Sequence, residues 1–590
     1  MRHIRSAILL SAAAALLAAC SETATTDSPV ATVPPQASLP EPPPPPPAPP
    51  PPQAIETTII KDEAMAARFL ARATFGGTKT DIQNLVGVDA ADWLRAEFDK
   101  SPTLYLPEMQ TLRQPDGNFP WNVATYQYWD RILTADDQLR QRMVFALSQI
   151  LVISDINDAG RPLRRTYYQD VLSRNAFGNY RTMLQDVTYS PEMAEWLTYM
   201  RNRKGDPRTG RMPDENYARE ILQLFTIGLV ELNQDGTAKT GANGRQIETY
   251  DNDDIIGLAR VFTGLSYKGP KFWDRDDDAE YRPLQMFEDQ HSPLEKSFLG
   301  KTIPAGTPGD QTISEALDHI FDHPNVAPFL ARQLIQRFTS SNPRPQYVER
   351  VAQAFDSGRF IAPNGQYFGT GQRGDLEATM AAILLEESLF LDDAPNNQLL
   401  TNGKIREPIL RFTHWVRAFD VGNLQSYNEG KLGWTLDPVD GLGQHPFRSP
   451  SVFNFYRPGY VAPQTESGTM GLTTPEFQLV NESTAVGYLN FMTEFAFERT
   501  WQRNNDIETF VPDYSQEIAL TDDSAALIDH LDILLTGGQM IDEEKAEIAT
   551  IIGDMRLRTD DPEKEADDRD ERAKVAVMLV LNSPAFAVVR

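Results

Sequence analysis

The spacing of apolar residues along this chain is helical over most of its length. Met65, Phe69, Leu70 and Ala73 recur three and four apart after Asp62, a residue suited to capping a first turn. Met143, Leu147, Ile150 and Leu151 do the same after Asp136 and Asp137. The same period predicts helices at 120–133, 161–173, 179–188, 214–227, 253–263, 312–321, 324–338, 375–386, 404–418, 524–534, 541–555 and 569–581. Strand-like alternation is confined to residues 230–232 and 246–250. These bracket Asp235-Gly236 and Asn243-Gly244, so one small β-hairpin is predicted there. Segments 265–310 and 421–474 follow neither period and read as long loops, which in a compact domain are functional or disordered. The expected fold is mainly α: a large multi-helix domain over 61–590 with a small hairpin insertion and long loops. At ~530 residues it exceeds one ordinary core, so one composite domain or two packed lobes are both open.

The N-terminus departs from this pattern. Arg2, His3 and Arg5 form a basic head, residues 7–17 an apolar run, and Ala18 and Ala19 precede Cys20. A run of about eleven residues is too short to cross a hydrocarbon core, which needs roughly 20. Basic head, short apolar core and small residues are the marks of an export signal, here 1–19. The cysteine that follows resembles the lipobox of bacterial lipoproteins, whose cysteine is acylated and becomes the mature N-terminus. An ordinary signal peptide with a chance cysteine is the alternative. Cys20 is the only cysteine in the chain, so it has no partner for an intramolecular disulfide. Ser21, rather than Asp, follows it, as outer-membrane lipoproteins usually show. Residues 20–60 then read as a lipidated N-terminus and spacer. The proline-rich stretch 34–52 adopts extended polyproline II, about 60 Å long at ~3.1 Å per residue.

Charge narrows the partners. The chain has 55 basic and 83 acidic residues, a net charge of −28, and loss of Arg2 and Arg5 with the signal takes it from −28 to −30. Phosphate backbones are bound through Lys/Arg patches, so nucleic acid is not an expected partner. Anionic lipid heads repel such a chain, which leaves the acyl tether as its hold on the membrane.

The segment from Pro213 to Gly228 is the most informative. Asp214 can cap its first turn and Gly228 suits a left-handed C-terminal position. On a 100° wheel Glu220 falls in the apolar arc of Tyr217, Ile221, Leu224 and Ile227, while Arg219, Gln223 and Thr226 fill the polar side. A carboxylate so placed must be paired, or protonated with a raised pKa. A buried bond to an arginine or an amide is expected, with Arg260 one candidate, and a general acid or base is the alternative role. Asp214-Glu-Asn-Tyr-Ala-Arg-Glu220 followed by Leu-Phe-Thr-Ile-Gly228 resembles the signature of the bacterial domain of unknown function 1800 family. Ala71 to Gly76, Ala259 to Gly264, His291 with Glu295 to Gly300, His323-Pro324, Arg406-Glu-Pro, Gly443 to Phe447 and Pro450 to Phe455 agree in order. The resemblance runs from about 64 to 587. It implies an exported, largely helical protein without an established activity, with Asp214, Asn216, Tyr217, Arg219, Glu220, Arg260 and His323 as structural motif residues. It also implies a neighbouring exported family, domain of unknown function 1501, as a possible partner. Val452-Phe-Asn-Phe-Tyr456 stands where many members have Val-x-Gly-Trp, which marks a divergent branch.

Other chemistry is sparse. His319 and His323 lie four apart, but Pro324 disfavours helix at His323 and no third ligand is near, so a helix-end cap is the better reading. His291 reads as a proton shuttle or a structural histidine. Asp251 to Asp254 reads as an acidic first turn, and Asp274 to Asp278 as a solvated loop rather than a Ca²⁺ loop. No Gly-x-Ser-x-Gly, phosphate-binding glycine loop, haem motif or His-Glu-x-x-His is present, and no cofactor is expected. The expected function is that of an envelope protein, lipid-anchored and best placed at the outer membrane, that binds another exported protein. The alternative is a carboxylate-dependent hydrolase or lyase acting on an envelope polymer. In it Glu215 or Glu220 is the acid or base, assisted by Tyr217 and His291.

One prediction needs only the N-terminus. Cys20→Ser abolishes acylation and moves the chain to the soluble fraction, as a membrane wash in high salt followed by immunoblotting would show. A variant that stays bound contradicts the tether.

Overall fold

The computed structural model describes residues 57–120, 122–155, 161–390, 403–424, 430–497, 500–502 and 507–589. The expectations for the signal peptide, Cys20 and the proline-rich stretch lie outside these. The packed chain is already in place at Thr58 and Ile60, both fully buried. The Thr58 hydroxyl donates to Asp89 at 2.5 Å, and the Ile60 N–H to the Val88 carbonyl at 2.9 Å.

The fold is mainly α, with only two-stranded sheets. Helices stand at Glu63–Ala73, Gln138–Ser148, Pro162–Asn175, Tyr180–Thr188, Asn252–Ala259, Gly309–Phe321, Val326–Phe338, Leu376–Leu384, Pro408–Ala418, Asp542–Asp554 and Pro562–Leu581, within a few residues of the apolar periodicity. Asp62 caps the first through the Met65 N–H at 2.8 Å, and Asp251 and Asp254 form a capping box on Asn252–Ala259. Two helices without a counterpart in the periodicity reading are Pro345–Ser357 and Glu482–Ala496. The expected hairpin is reduced to isolated bridges, Val230↔Glu248, Leu232↔Ala238 and Thr240↔Gln246. Regular pairs lie elsewhere: Leu265–Ser266 with Gln285–Met286, Lys296–Phe298 with Lys301–Ile303, and Lys404–Ile405 with Val588–Val589.

One apolar core is continuous from Ile60 to Phe586, so the described residues form a single composite domain rather than two lobes. Its centre holds Gln138–Ser148 and Pro162–Asn175, which are buried on nearly every side, arginines included. Buried guanidinium groups need acceptors. Arg140 donates to the Ser173 and Lys100 carbonyls at 3.1 and 3.0 Å, and Arg142 reaches the Arg337 carbonyl. Asp170 accepts the Tyr105 N–H at 2.6 Å, yet burial still pushes its pKa up to about 6. Among the described residues no helix is long and apolar enough to cross a membrane.

The hairpin 296–303 packs on Asn252–Ala259 so closely that a Cβ at Gly257 would overlap the Ser297 carbonyl. Gly257→Ala therefore destabilises the domain by roughly 3 kcal/mol or more, as overpacking against backbone does. Gly459→Ala, which meets nothing within 4 Å, leaves urea unfolding unchanged. Equal unfolding midpoints for the two variants would contradict this packing.

Candidate functional site

The motif segment begins as the helix Asn216–Glu220 and continues as a π-helix over Ile221–Thr226. Glu215 rather than Asp214 stands at its N-cap; Asp214, one residue earlier, accepts the Asn216 N–H at 2.9 Å and the Thr198 hydroxyl at 3.1 Å. Gly228 ends it at φ +70°, against the Phe329 ring. The wider π turn breaks the 100° wheel. Thr226, expected on the polar side, is fully buried and donates to the Ile221 carbonyl at 2.5 Å, and Leu222 is buried with it.

The four catalytic candidates do not assemble. Glu215 pairs with Arg219 at 3.6 Å at the helix start. Tyr217 is sealed among Tyr199, Phe262 and Phe225, its hydroxyl 2.8 Å from that of Thr188, and burial raises its pKa. Glu220 is buried, and its Oε2 has no hydrogen-bond partner. The expected pair with Arg260 is not formed: Arg260 sits at the C-cap of Asn252–Ala259 and turns to the Glu295 carbonyl at 3.1 Å. Burial raises the Glu220 pKa, with Arg219 opposing, and the Tyr250 hydroxyl nearby is also buried and unpartnered.

His291 donates from Nδ1 to the Thr263 carbonyl at 2.8 Å, which leaves Nε2 as an enclosed lone pair. Burial lowers its pKa, and so does the Lys296 ammonium, itself enclosed without a partner. His323 accepts the Asn325 N–H at 3.1 Å at the start of Val326–Phe338, and the His319 ring meets the Leu299 carbonyl at 2.9 Å. Among the described residues no three His, Cys, Asp or Glu side chains gather as a metal site.

The later motifs converge on a buried polar centre. Glu407, fully enclosed, accepts from Gln149 at 2.5 Å, Gln444 at 2.6 Å and the Tyr456 hydroxyl at 3.0 Å. Lys404 stands 3.7 Å from it and 3.3 Å from Glu476, whose pKa burial raises. Beside this network lies a cavity of about 40 Å³ walled by Gln149, Gln169, His445, Phe447 and Asn454. It has room for a few waters, not for a polymer. Phe447 and Asn454 both hold left-handed backbone, at φ 62° and 60°. Burial and Arg448 lower the His445 pKa to about 4, so its ring is neutral and only one of the two carbonyls facing it receives a hydrogen bond.

What the motif residues do hold in place is a surface loop. Asn202 bonds the Asp214 N–H at 2.9 Å through its side chain and the Gly264 N–H at 2.8 Å through its carbonyl, and the Arg201 N–H meets the Leu265 carbonyl at 3.0 Å. Thr198 and Arg201 are locked at positive φ, 61° and 60°, a strained geometry for non-glycine residues. This sets Arg201 and Arg203 against Trp273, 5.5 and 5.4 Å from its ring centre. None of these three is singled out by motif. The signal available was composition, five basic residues and one acidic residue in 201–211 of an acidic chain.

A family model described as a protein of unknown function (DUF1800) matches residues 68–588. No curated protein and no solved structure matches the chain.

Glu220 yields a signed prediction. Its raised pKa means that the folded state keeps a proton the unfolded state gives up. Stability therefore falls as pH rises from the ordinary carboxylate value through the raised one. Glu220→Gln removes that loss. Its Tm matches the parent near pH 4 and exceeds it at pH 8 in calorimetric scans. A parent more stable than the variant at pH 8 would show a cationic partner instead.

Proposed function

We propose that this chain, which belongs to the DUF1800 family of proteins of unknown function, works by binding, as a lipid-anchored envelope protein that serves another exported protein. The anchor is Cys20 and the place is the outer membrane. An exported protein of the domain of unknown function 1501 family is the first partner to test. The observation that carries this reading is the fate of the motif residues. Glu215, Tyr217, Glu220 and His291 are each occupied or walled in separately, and no two of them form an acid–base pair. The same segment braces an exposed loop carrying arginines and a tryptophan, residue types that dominate interface energetics. The alternative reading, a hydrolase or lyase of an envelope polymer, lacks such support, since its candidates Glu215, Tyr217, Glu220 and His291 are not brought together.

Crosslinked membranes solubilised in mild detergent provide the test. The tagged chain should retain one exported protein in a fixed ratio, and Glu220→Gln should retain it equally. Release of soluble fragments from purified envelope polymer by the isolated chain, lost in Glu220→Gln or Glu215→Gln, would replace binding with catalysis.

A further inference from the structure

We propose that the face formed by Trp273, Arg201 and Arg203 is where the partner docks, and that it takes an acidic protein surface. The inference rests on the binding reading above and specifies the chemistry of the partner.

Trp273 is 57% exposed, although an indole leaves water readily. It is not a loose side chain. Its ring meets Phe272 edge-on at 5.1 Å, Phe272 packs in turn on Phe287 at 5.6 Å, and the Trp273 carbonyl accepts from Arg201 at 2.9 Å. The backbone around it is pinned by the Asp274 N–H to the Lys271 carbonyl at 2.9 Å and the Asp276 N–H to the Lys268 carbonyl at 2.8 Å. A rigid aromatic anchor loses little entropy on binding.

The segment 201–211 beside it is basic in an acidic chain, although the loop of Trp273 itself carries several carboxylates. Arg201, Arg203, Lys204, Lys268 and Lys271 pair with no carboxylate among the described residues, although the chain has 83 acidic side chains to offer. The two basic segments meet at Trp273, which Arg201 and Arg203 both approach, while the Lys204 N–H meets the Gln290 carbonyl at 2.9 Å and Arg211 folds back on the Lys204 carbonyl at 3.1 Å. Carboxylates at the edge are Asp206, which faces Arg208 at 3.5 Å, and Asp274, Asp276 and Asp277 on the loop of Trp273. A half-buried guanidinium pair held on an indole, making no ion pair within the described residues, is complementary to carboxylates brought by another molecule.

Shape favours a protein. The turn 206–211 projects, with the Arg208 side chain 91% exposed and Met212 63% exposed. Small ligands and sugars are held in concave sites, whereas a raised face of Trp, Arg and Met is the anatomy of a protein interface.

The experiment is photo-crosslinking from position 271 of the full chain in intact cells. An exported protein contacted through an Asp/Glu-rich segment is expected. Trp273→Ala should reduce the crosslink about 30-fold, as loss of an interface anchor does, and Arg203→Glu at least about tenfold, with Tm unchanged in both. Changing a contacted acid of the partner to Lys should restore the crosslink to Arg203→Glu. Crosslinks to lipid, to polysaccharide, to a protein face without acids or to nothing would overturn the inference, as would insensitivity to both variants. A partner still captured by Arg203→Glu from solubilised membranes would leave the binding reading standing and remove only this face. No partner with either chain would remove both.

Discussion

Everything at the centre of this domain is arranged around one enclosed carboxylate. Glu407 is sealed from bulk solvent, so its oxygens need donors within the fold. The donors come from three separate places: Gln149 after the helix Gln138–Ser148, Gln444 in a loop, and Tyr456 beyond it. Lys404 stands between Glu407 and Glu476, so a second buried carboxylate is drawn into the same arrangement. Removing one member of such a group strands the others, which is why it fixes the relative positions of segments far apart in sequence. The Gln444 side-chain oxygen, Oε1, also accepts the Ile409 N–H at 3.2 Å, tying the start of Pro408–Ala418 to that loop. Long irregular loop becomes fixed wall.

The motif that marks the family plays a comparable part at the other polar focus. Asp214, Asn202, Thr198 and Gly264 form a lattice of short-range bonds, and the π turn behind them carries a widened helix into Gly228. Acidic residues in a recognisable signature invite a catalytic reading. Here Asp214 holds the local backbone, Glu215 meets Arg219 and Glu220 is enclosed, while Thr198 and Arg201 beside them are held at strained positive φ.

Helices with a clean apolar stripe are legible from the amino acids, as Val326–Phe338 and Tyr180–Thr188 show. Pro345–Ser357 carries such a stripe too, in Tyr347, Val348, Val351, Ala352 and Phe355, behind a mostly polar composition. Glu482–Ala496 is less readable, because Thr484, Val486 and Gly487 are poor helix formers, and packing of Tyr488, Phe491 and Phe495 selects the helix. Buried arginines defeat local pattern altogether, since the acceptor of Arg142 is the carbonyl of Arg337. The motif is locatable from sequence, but its role is not, because the partners of Asp214 and the lack of one for Glu220 are tertiary facts. The basic loop at 201–211 was visible only as composition, and a net charge of −28 hides it.

The pairing of Lys404–Ile405 with Val588–Val589 has a temporal side. A ribosome delivers the chain from its N-terminus, so residues 404–405 emerge long before the strand they need. The Arg406 N–H, next to Glu407, waits likewise for the Ala587 carbonyl at 2.8 Å. Contacts this distant in sequence slow folding, because the intervening loop must close before they form. The buried polar centre is thus left unfinished until the last residues of the chain are delivered.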